Sequence, residues 1–343
     1  MMLPVLVASE TRMRCIPRCL ITAAVYALSA SAGPALAEPI IVSNYGVAAS
    51  AMPYAVALNK GYFKEFGADV DVILDVDGTA AARRLASERI AYAELPPAAV
   101  AIAAQRGIGV TIISGNVYTA DSYAWITLAA SPIGSIGDLR GKRVGYSAEG
   151  ATTDALNRLA LAKAGIAPRE VVLSLVGGVV PLLTYLQVKG IEAAPIPEPL
   201  RSTVGDGYKT IASVGGPLPS LADAVGVTSI NAKVEKRAFI VGVLKARRKA
   251  VEYIHEHPVD AAAIIAAVYK TEPAIIERVI GRIIESERTK GQPYWDTGSI
   301  LRTDPIKAAI LAVTDPSGAG PLSVDLSKLI DDSLLGELTK PSS

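Results

Sequence analysis

Apolar and polar positions alternate along the first two thirds of the chain in a regular way. Ile40–Ser43 and Val70–Leu74 are short apolar runs typical of buried strands, whereas Ala51–Lys60 and Thr79–Glu88 have helical spacing. The series continues with a strand at Ile90–Glu94, a helix at Ala98–Arg106 and a strand at Val110–Ser114. This alternation predicts a parallel sheet with helices on its faces.

A second series of the same kind follows the strand predicted at Ser122–Ala129. Its predicted strands are Arg143–Tyr146, Val171–Leu175, Ile191–Ala194 and Lys209–Val214, and its predicted helices are Thr152–Ala164 and Val180–Lys189. After one more strand at Val225–Ile230 the pattern becomes helical, with helix boundaries near Pro258, Tyr269 and Pro273 and a last helix over Ser299–Val313. The pattern fits two consecutive domains, or two lobes between which the chain crosses twice.

The first 37 residues read as an export signal. Arg12, Arg14 and Arg18 precede an apolar run from Leu20 to Ala32, and Ala35-Leu36-Ala37 fits a cleavage site of small residues. The apolar run is shorter than the roughly 20 residues that a spanning helix needs. We therefore expect residues 1–37 to be removed, both cysteines with them, and the mature protein to be a soluble exported protein.

The composition of the remaining chain excludes several classes of function. Without residues 1–37 it has 31 basic and 32 acidic residues, so no concentrated basic surface for nucleic acid is expected. The chain lacks a phosphate-binding loop, a dinucleotide fingerprint and a nucleophile elbow. His255 and His257 are the only histidines and are two positions apart at a helix end, a spacing that does not favour metal chelation. We predict no catalytic residue, no metal site and no cofactor.

Loops between strands and helices carry the strongest functional signal. They are short and rich in Gly, Ala, Ser, Thr or Pro: Ser43–Ala51, Asp77–Thr79, Leu95–Pro97, Ser147–Thr153 and Gly177–Val179. In open α/β sheets ligands collect beyond the carboxyl ends of strands, where helix N-termini present free N–H groups. In the first loop, SNYGVAASAMP, we predict Asn44 and Tyr45 as ligand contacts and residues 49–51, centred on Ser50, as backbone donors. Aromatic side chains predicted to wall the same pocket are Tyr45, Tyr118, Tyr123, Trp125 and Tyr146.

Three segments resemble a known family. Residues 53–70 (PYAVALNKGYFKEFGADV), residues 136–145 (IGDLRGKRVG), and Glu192-Ala193-Ala194 with Glu198-Pro199 are similar, in this order, to segments of the solute-binding proteins of nitrate, sulfonate, taurine and thiamine-pyrimidine ABC importers, the NMT1/THI5-like family. The resemblance implies the two-lobed periplasmic-binding-protein fold (type II), an α/β fold whose lobes are mixed sheets flanked by helices. It also implies two crossing hinge strands, which we place at Ser122–Ala130 and Gly226–Asn231. The lobes would then be residues 38–124 with 228–343, and residues 125–227.

The resemblance also implies a function, that of a monomeric, non-enzymatic protein that captures a solute by hinge closure and delivers it to a membrane permease. The expected solute is a small organic anion, for which Arg83, Arg84 and Arg201 are the nearest basic side chains. The alternatives are a neutral pyrimidine with Glu198 as acceptor, an aromatic carboxylate, or a role as sensing partner of a membrane receptor. An enzyme on the same fold is disfavoured because the chain lacks a Cys-rich motif.

Overall fold

A computed structural model gives the fold and describes residues 37–75, 78–87, 90–214, 220–297, 300–313 and 325–338. The strands are β1 Glu38–Ser43, β2 Val70–Asp75, β3 Tyr92–Leu95, β4 Val110–Val117, β5 Tyr123–Leu128, β6 Arg143–Tyr146, β7 Val172–Leu175, β8 Ala194–Pro197, β9 Tyr208–Ser213 and β10 Ala224–Ser229. The helices are α1 Met52–Asn59, α2 Tyr62–Glu65, α3 Gly78–Ser87, α4 Pro97–Gln105, α5 Thr152–Lys163, α6 Val179–Gln187, α7 Ile230–Glu235, α8 Arg237–Glu256, α9 Pro258–Tyr269, α10 Pro273–Lys290, α11 Thr303–Leu311 and α12 Leu326–Leu329.

A mixed five-stranded sheet organises the first lobe, in the order β2-β1-β3-β10-β4. Strand β1 pairs parallel with β2 and β3, and β10 runs antiparallel to β3 and β4. Ile40, Ile41 and Val42 of β1 are fully buried because helices cover both faces of the sheet. Ile40 and Val42 pack with α1 and the C-terminal helices α8–α10, whereas Ile41 packs with α3 and α4.

The second lobe is built from the strands between β5 and β9. Strands β8, β5 and β9 form an antiparallel sheet in that order, and β6 pairs parallel with β7. A bridge between Val144 and Ala193 joins the two groups of strands. Small apolar cores lie around Val144 and Leu161 and around Leu182 and Ile196. The parallel arrangement expected from sequence is therefore limited to one strand pair here.

Most predicted elements form close to their expected positions, and one strand is displaced. The strand expected at Ile191–Ala194 forms three residues later as β8, in which Pro195 and Pro197 pair with β5. Proline cannot donate to a strand ladder, so a sequence pattern that demotes proline misses this strand.

Both segments predicted as crossings form strands inside the sheets. Strand β5 belongs to the second lobe and β10, from Ala224, to the first. The passages between the lobes therefore precede β5 and β10 and do not coincide with them, and residues 215–219, before β10, lie outside the described residues. The exact residue bounds of the lobes stay a prediction.

Candidate functional site

A cavity of about 250 Å³ lies where three of the predicted loops meet. Its lining comes from both lobes: Thr79, Ala80, Arg83 and Arg106 from the first, and Ser147, Ala148, Glu149, Leu175 and Gly177 from the second. The loops that follow β6 and β7 thus meet the start of α3, the helix after β2, at the carboxyl ends of these strands. Asp77 of the predicted loop Asp77–Thr79 lies outside the described residues.

The charged groups that line the cavity are two guanidinium groups and one carboxylate, so the lining carries a net positive charge that favours an anion. Arg83 contributes a guanidinium that has no ion-pair partner among the described residues, whereas Arg106 pairs with Glu149 at 2.9 Å. Thr79 belongs to the first turn of α3, and the loop from Ser147 leads into the first turn of α5. Helix N-termini present unpaired N–H groups and a positive dipole, which favour negative charge.

The loop between β6 and α5 is held in place by its own hydroxyl groups. The side chain of Thr153 accepts a hydrogen bond from the amide of Ser147 at 2.9 Å, and the two hydroxyl oxygens are 2.8 Å apart. Gly150 of this loop has a φ of +71°, and a Cβ there would lie 2.9 Å from the amide nitrogen of Ala99 in α4. The absence of a side chain at Gly150 therefore lets the two lobes come into contact beside the cavity.

A second polar group at the meeting of the lobes is centred on Asp223. This carboxylate precedes β10 and is 4% exposed. The hydroxyl of Tyr123 donates to its Oδ1 at 3.2 Å, and the hydroxyl of Thr152 donates to its backbone carbonyl at 3.2 Å. Burial raises the pKa of Asp223 to about 6, although hydrogen bonds from Thr152, Tyr123 and Ser50 oppose the rise.

The loop SNYGVAASAMP lies partly away from this cavity. Asn44 is in the left-handed region, with φ at +55°, and its carbonyl accepts from the amides of Val47 and Ala48. Tyr45 packs edge-on against Tyr269, and burial raises the pKa of Tyr45 to about 12. Gly46 and Val47 line a separate cavity of about 190 Å³ next to Lys270.

The backbone of the 49–51 segment is largely engaged within the protein. The amide of Ala49 donates to the carbonyl of Glu198 at 2.6 Å, and the amide of Ala51 donates to the carbonyl of Ala48 at 3.3 Å. Ser50 is buried, and its hydroxyl faces Asp223. Of the three positions predicted from this loop, Ser50 is the one that the structure brings to the Asp223 group.

The other basic candidates from the sequence have acidic partners. Arg84 pairs with Asp75 at 3.2 Å, and Arg201 pairs with Glu198. Glu198 also accepts from Arg282 of α10 at 2.9 Å and from the amide of Ser202, so both oxygens of its carboxylate already accept hydrogen bonds.

The predicted aromatic walls separate into core and site residues. Trp125 is 1% exposed and donates to Asn157 at 2.8 Å in the core, and Tyr118 accepts from the amide of Arg302. Tyr146 is half-buried. Tyr123 alone among the aromatic candidates contacts Asp223.

Sequence reasoning missed Asp223, Arg106 and Arg282. Asp223 interrupts the apolar segment Leu221–Val227. A lone acidic residue in such a segment is the signal from which Asp223 could have been found. Arg282 lies on the long helix α10 among other charged residues, and Arg106 directly follows the short apolar helix α4, so the sequence neighbours of both give no sign of a special role.

The described histidine contacts are those of a helix end. The ring of His255 lies 2.7 Å from a carboxylate oxygen of Glu287 and 2.8 Å from the carbonyl of Val251. The hydrogen bond with Glu287 raises the pKa of His255.

Within the described ranges, the helices are all too short or too polar to cross a membrane.

Comparison with known proteins assigns the family. The sequence model described as "NMT1/THI5 like" matches residues 48–261, which is more than half of the chain. The protein belongs to the NMT1/THI5-like family. This confirms the resemblance noted in the sequence. A search of curated proteins gave no match.

Solved structures with the same fold include three binding proteins. The alkanesulfonate-binding protein SsuA of Xanthomonas axonopodis pv. citri, bound to MOPS, is 16% identical with a TM-score of 0.66, over 79% of this chain and 89% of its own. The aliphatic sulphonate binding protein SsuA of Escherichia coli is 14% identical with a TM-score of 0.64, over 85% and 91%. The nitrate-binding protein NrtA of Synechocystis PCC 6803 is 15% identical with a TM-score of 0.65, over 88% and 87%. These similarities confirm the predicted periplasmic-binding-protein fold.

Proposed function

We propose that this protein is the periplasmic solute-binding component of an ABC importer and that its solute is a small organic anion, sulfonate-, taurine- or nitrate-like. Residues 38–124 with 228–343 would form one lobe and residues 125–227 the other, and hinge closure would trap the solute between them. The closed protein, acting as a monomer without catalytic activity, would deliver the solute to a membrane permease.

The observation that carries this proposal is the cavity that contains Arg83. Its side chain lines the space between the lobes without an ion-pair partner among the described residues, and the first turn of α3 and the loop that leads into α5 lie at the same cavity. An anion placed there would gain charge-assisted hydrogen bonds from both lobes, which stabilises the closed arrangement over the open one. A volume of about 250 Å³ suits a solute smaller than the ligands of typical drug-sized pockets.

The structure gives less support to a neutral pyrimidine. In that alternative Glu198 would accept from the ligand, but its carboxylate already accepts from Arg201, Arg282 and the amide of Ser202. A ligand would have to displace these donors, which would leave two guanidinium groups without their partner.

Isothermal titration with alkanesulfonates, taurine and nitrate tests the proposal. We expect Arg83→Gln to weaken the binding of the preferred anion about tenfold, because the charge-assisted contact from this exposed guanidinium is lost. Arg84→Gln is the matched control, since Arg84 is the next residue on the same helix but pairs with Asp75. Equal affinities of the two variants, or no binding of any anion by folded wild-type protein, would contradict the proposal.

A further inference from the structure

The two guanidinium groups at the cavity between the lobes differ in their partners. Arg106 lies 2.9 Å from the carboxylate of Glu149, and both residues line the cavity. Arg83 lines the same cavity and has no ion-pair partner among the described residues. Because Glu149 offsets one of the two positive charges, the lining keeps the excess charge of a single guanidinium.

Charged side chains beside the lining residues leave this balance unchanged. Arg84, which follows Arg83 in α3, pairs with Asp75 at 3.2 Å. Asp154, in the first turn of α5, pairs with Arg158 at 2.8 Å. Each of these pairs is neutral as a whole, so the net charge that a solute meets is set by the lining itself.

The position of Glu149 is set by the loop between β6 and α5. The next residue, Gly150, approaches α4 so closely that a Cβ there would lie 2.9 Å from the amide nitrogen of Ala99. This approach brings Glu149 of the second lobe next to Arg106, which directly follows α4 in the first. The carboxylate therefore belongs to the cavity wall in the arrangement in which both lobes contact a solute.

A carboxylate in the wall acts differently on singly and doubly charged solutes. Its repulsion of an anion grows in proportion to the charge of that anion. The guanidinium of Arg83 balances one negative charge, whereas a second negative charge would have only Arg106 as partner, and Arg106 is already paired with Glu149. A doubly charged solute would leave one charge unbalanced or displace Glu149, and either outcome weakens its binding.

We propose that Glu149 is a specificity-determining residue, which makes the cavity select singly charged anions and reject doubly charged ones such as sulfate and hydrogen phosphate. The proposal rests on the proposed function and divides the small anions by their charge. Glu149 acts on selectivity, whereas the strength of binding depends on Arg83 and on the closure of the lobes.

Methanesulfonate and sulfate test the proposal because they are tetrahedral anions of similar size that differ by one charge, and both are fully ionised at neutral pH. Isothermal titration of the full chain gives the ratio of their affinities. We expect the wild-type protein to prefer methanesulfonate by about fivefold or more. In Glu149→Gln this ratio should fall about three- to fivefold, because removing a partly exposed negative charge favours the doubly charged anion more.

The ratio distinguishes a role in selectivity from a merely structural one. Loss of the ion pair between Glu149 and Arg106 changes how readily the lobes close, but this change affects both anions alike and cancels in the ratio. Arg106→Gln breaks the same ion pair and removes a positive charge instead, so the ratio should rise. Glu235→Gln is the control, because it removes an exposed carboxylate of α7 that does not line the cavity, and it should leave the ratio unchanged.

If the wild-type protein binds both anions equally or prefers sulfate, the inference about Glu149 is wrong although anion binding stands. An unchanged ratio in Glu149→Gln, or a shift in the same direction in Glu149→Gln and Arg106→Gln, also overturns the role of Glu149. If Glu149→Gln does not fold, the wild-type ratio and the direction of the shift in Arg106→Gln decide. If the wild-type protein binds neither anion, the proposed function is wrong for these anions as well.

Discussion

The guanidinium of Arg282 donates to the carboxylate of Glu198 at 2.9 Å, joining helix α10 to the turn that follows strand β8. Helix α10 packs on the helices of the first lobe, whereas β8 belongs to the second. The same guanidinium donates to the hydroxyl of Ser202, and the carbonyl of Glu198 accepts from the amide of Ala49. The turn at Glu198 is therefore a contact between the lobes made by side chains and backbone together.

Replacing Arg282 by Gln should weaken solute binding without unfolding the protein. The Glu198 side chain is 6% exposed and would keep Arg201 as a partner, but its link to α10 would be lost. Because Arg282 itself is 55% exposed, we expect a modest effect, about 0.5 to 1 kcal/mol, or a two- to fivefold loss of affinity. Titration calorimetry measures the affinity, and small-angle scattering measures how far the lobes separate.

Arg278→Gln is the control for this prediction. Arg278 lies on the same helix, is exposed, and makes no ion pair among the described residues. It should bind solute as the wild type does. An equal loss of affinity in both variants would show that the charge of the helix, rather than the contact with Glu198, is what matters.

The buried carboxylate of Asp223 should make the protein less stable as pH rises. Its pKa is raised to about 6 in the folded protein from an ordinary value of 3.8, so the folded state binds the proton more tightly than the unfolded chain. The resulting stabilisation is fully present below pH 3.8 and is lost as pH rises through about 6. From pH 5 to pH 8 this group alone should remove about 1 kcal/mol of the free energy of unfolding.

Chemical denaturation of wild type and Asp223→Asn at pH 5 and pH 8 checks this dependence. Asn at position 223 cannot ionise, so the variant should lose less stability over this range than the wild type. Glu94, whose pKa burial raises to about 7, titrates in the same direction; because the charge of Asp223 contributes to that rise, Asp223→Asn also lowers the pKa of Glu94, which further reduces the loss of stability in the variant. A variant and a wild type with the same pH dependence would show that Asp223 does not carry the effect.

The sequence predicted the parts of this fold that depend on local patterns. The apolar run Ile40–Val42, the helix after Pro96-Pro97 and the glycine-rich loops at Ser147 and Gly177 all lie where expected, because hydrophobic periodicity and turn chemistry are local. The convergence of the loops at strand ends followed from the general behaviour of parallel sheets.

The site itself depends on contacts between distant parts of the chain. Ser50 and Asp223 meet although more than 170 residues separate them, and Thr152 approaches Asp223 from the second lobe. Such pairings are set by the packing of the lobes, which periodicity does not record. The packing of the lobes also separates Arg83 from its neighbour Arg84: Arg83 lines the cavity and has no acidic partner among the described residues, whereas Arg84 pairs with Asp75.

The approach of Gly150 to helix α4 is the closest backbone contact described for a glycine between the lobes. A Cβ at Gly150 would lie 2.9 Å from the amide nitrogen and 3.0 Å from the Cα of Ala99, and 2.8 Å from Cδ1 of Ile102. Backbone atoms within a helix cannot move aside as a flexible side chain can. A side chain at position 150 would therefore keep the lobes apart.

Gly150→Ala should fold and yet bind solute at least tenfold more weakly, because the methyl group prevents the closed arrangement in which both lobes contact the solute. Calorimetry measures the affinity, and scattering should show that added solute no longer compacts the protein.

Gly141→Ala is the control that separates this effect from backbone strain. Gly141 has a φ of +74°, close to the +71° of Gly150, but a Cβ there meets nothing within 4 Å. Both variants should lose about 1 to 2 kcal/mol of stability from the left-handed conformation, while Gly141→Ala keeps its affinity. Equal affinities in the two variants would mean that solute binding does not require this contact between the lobes.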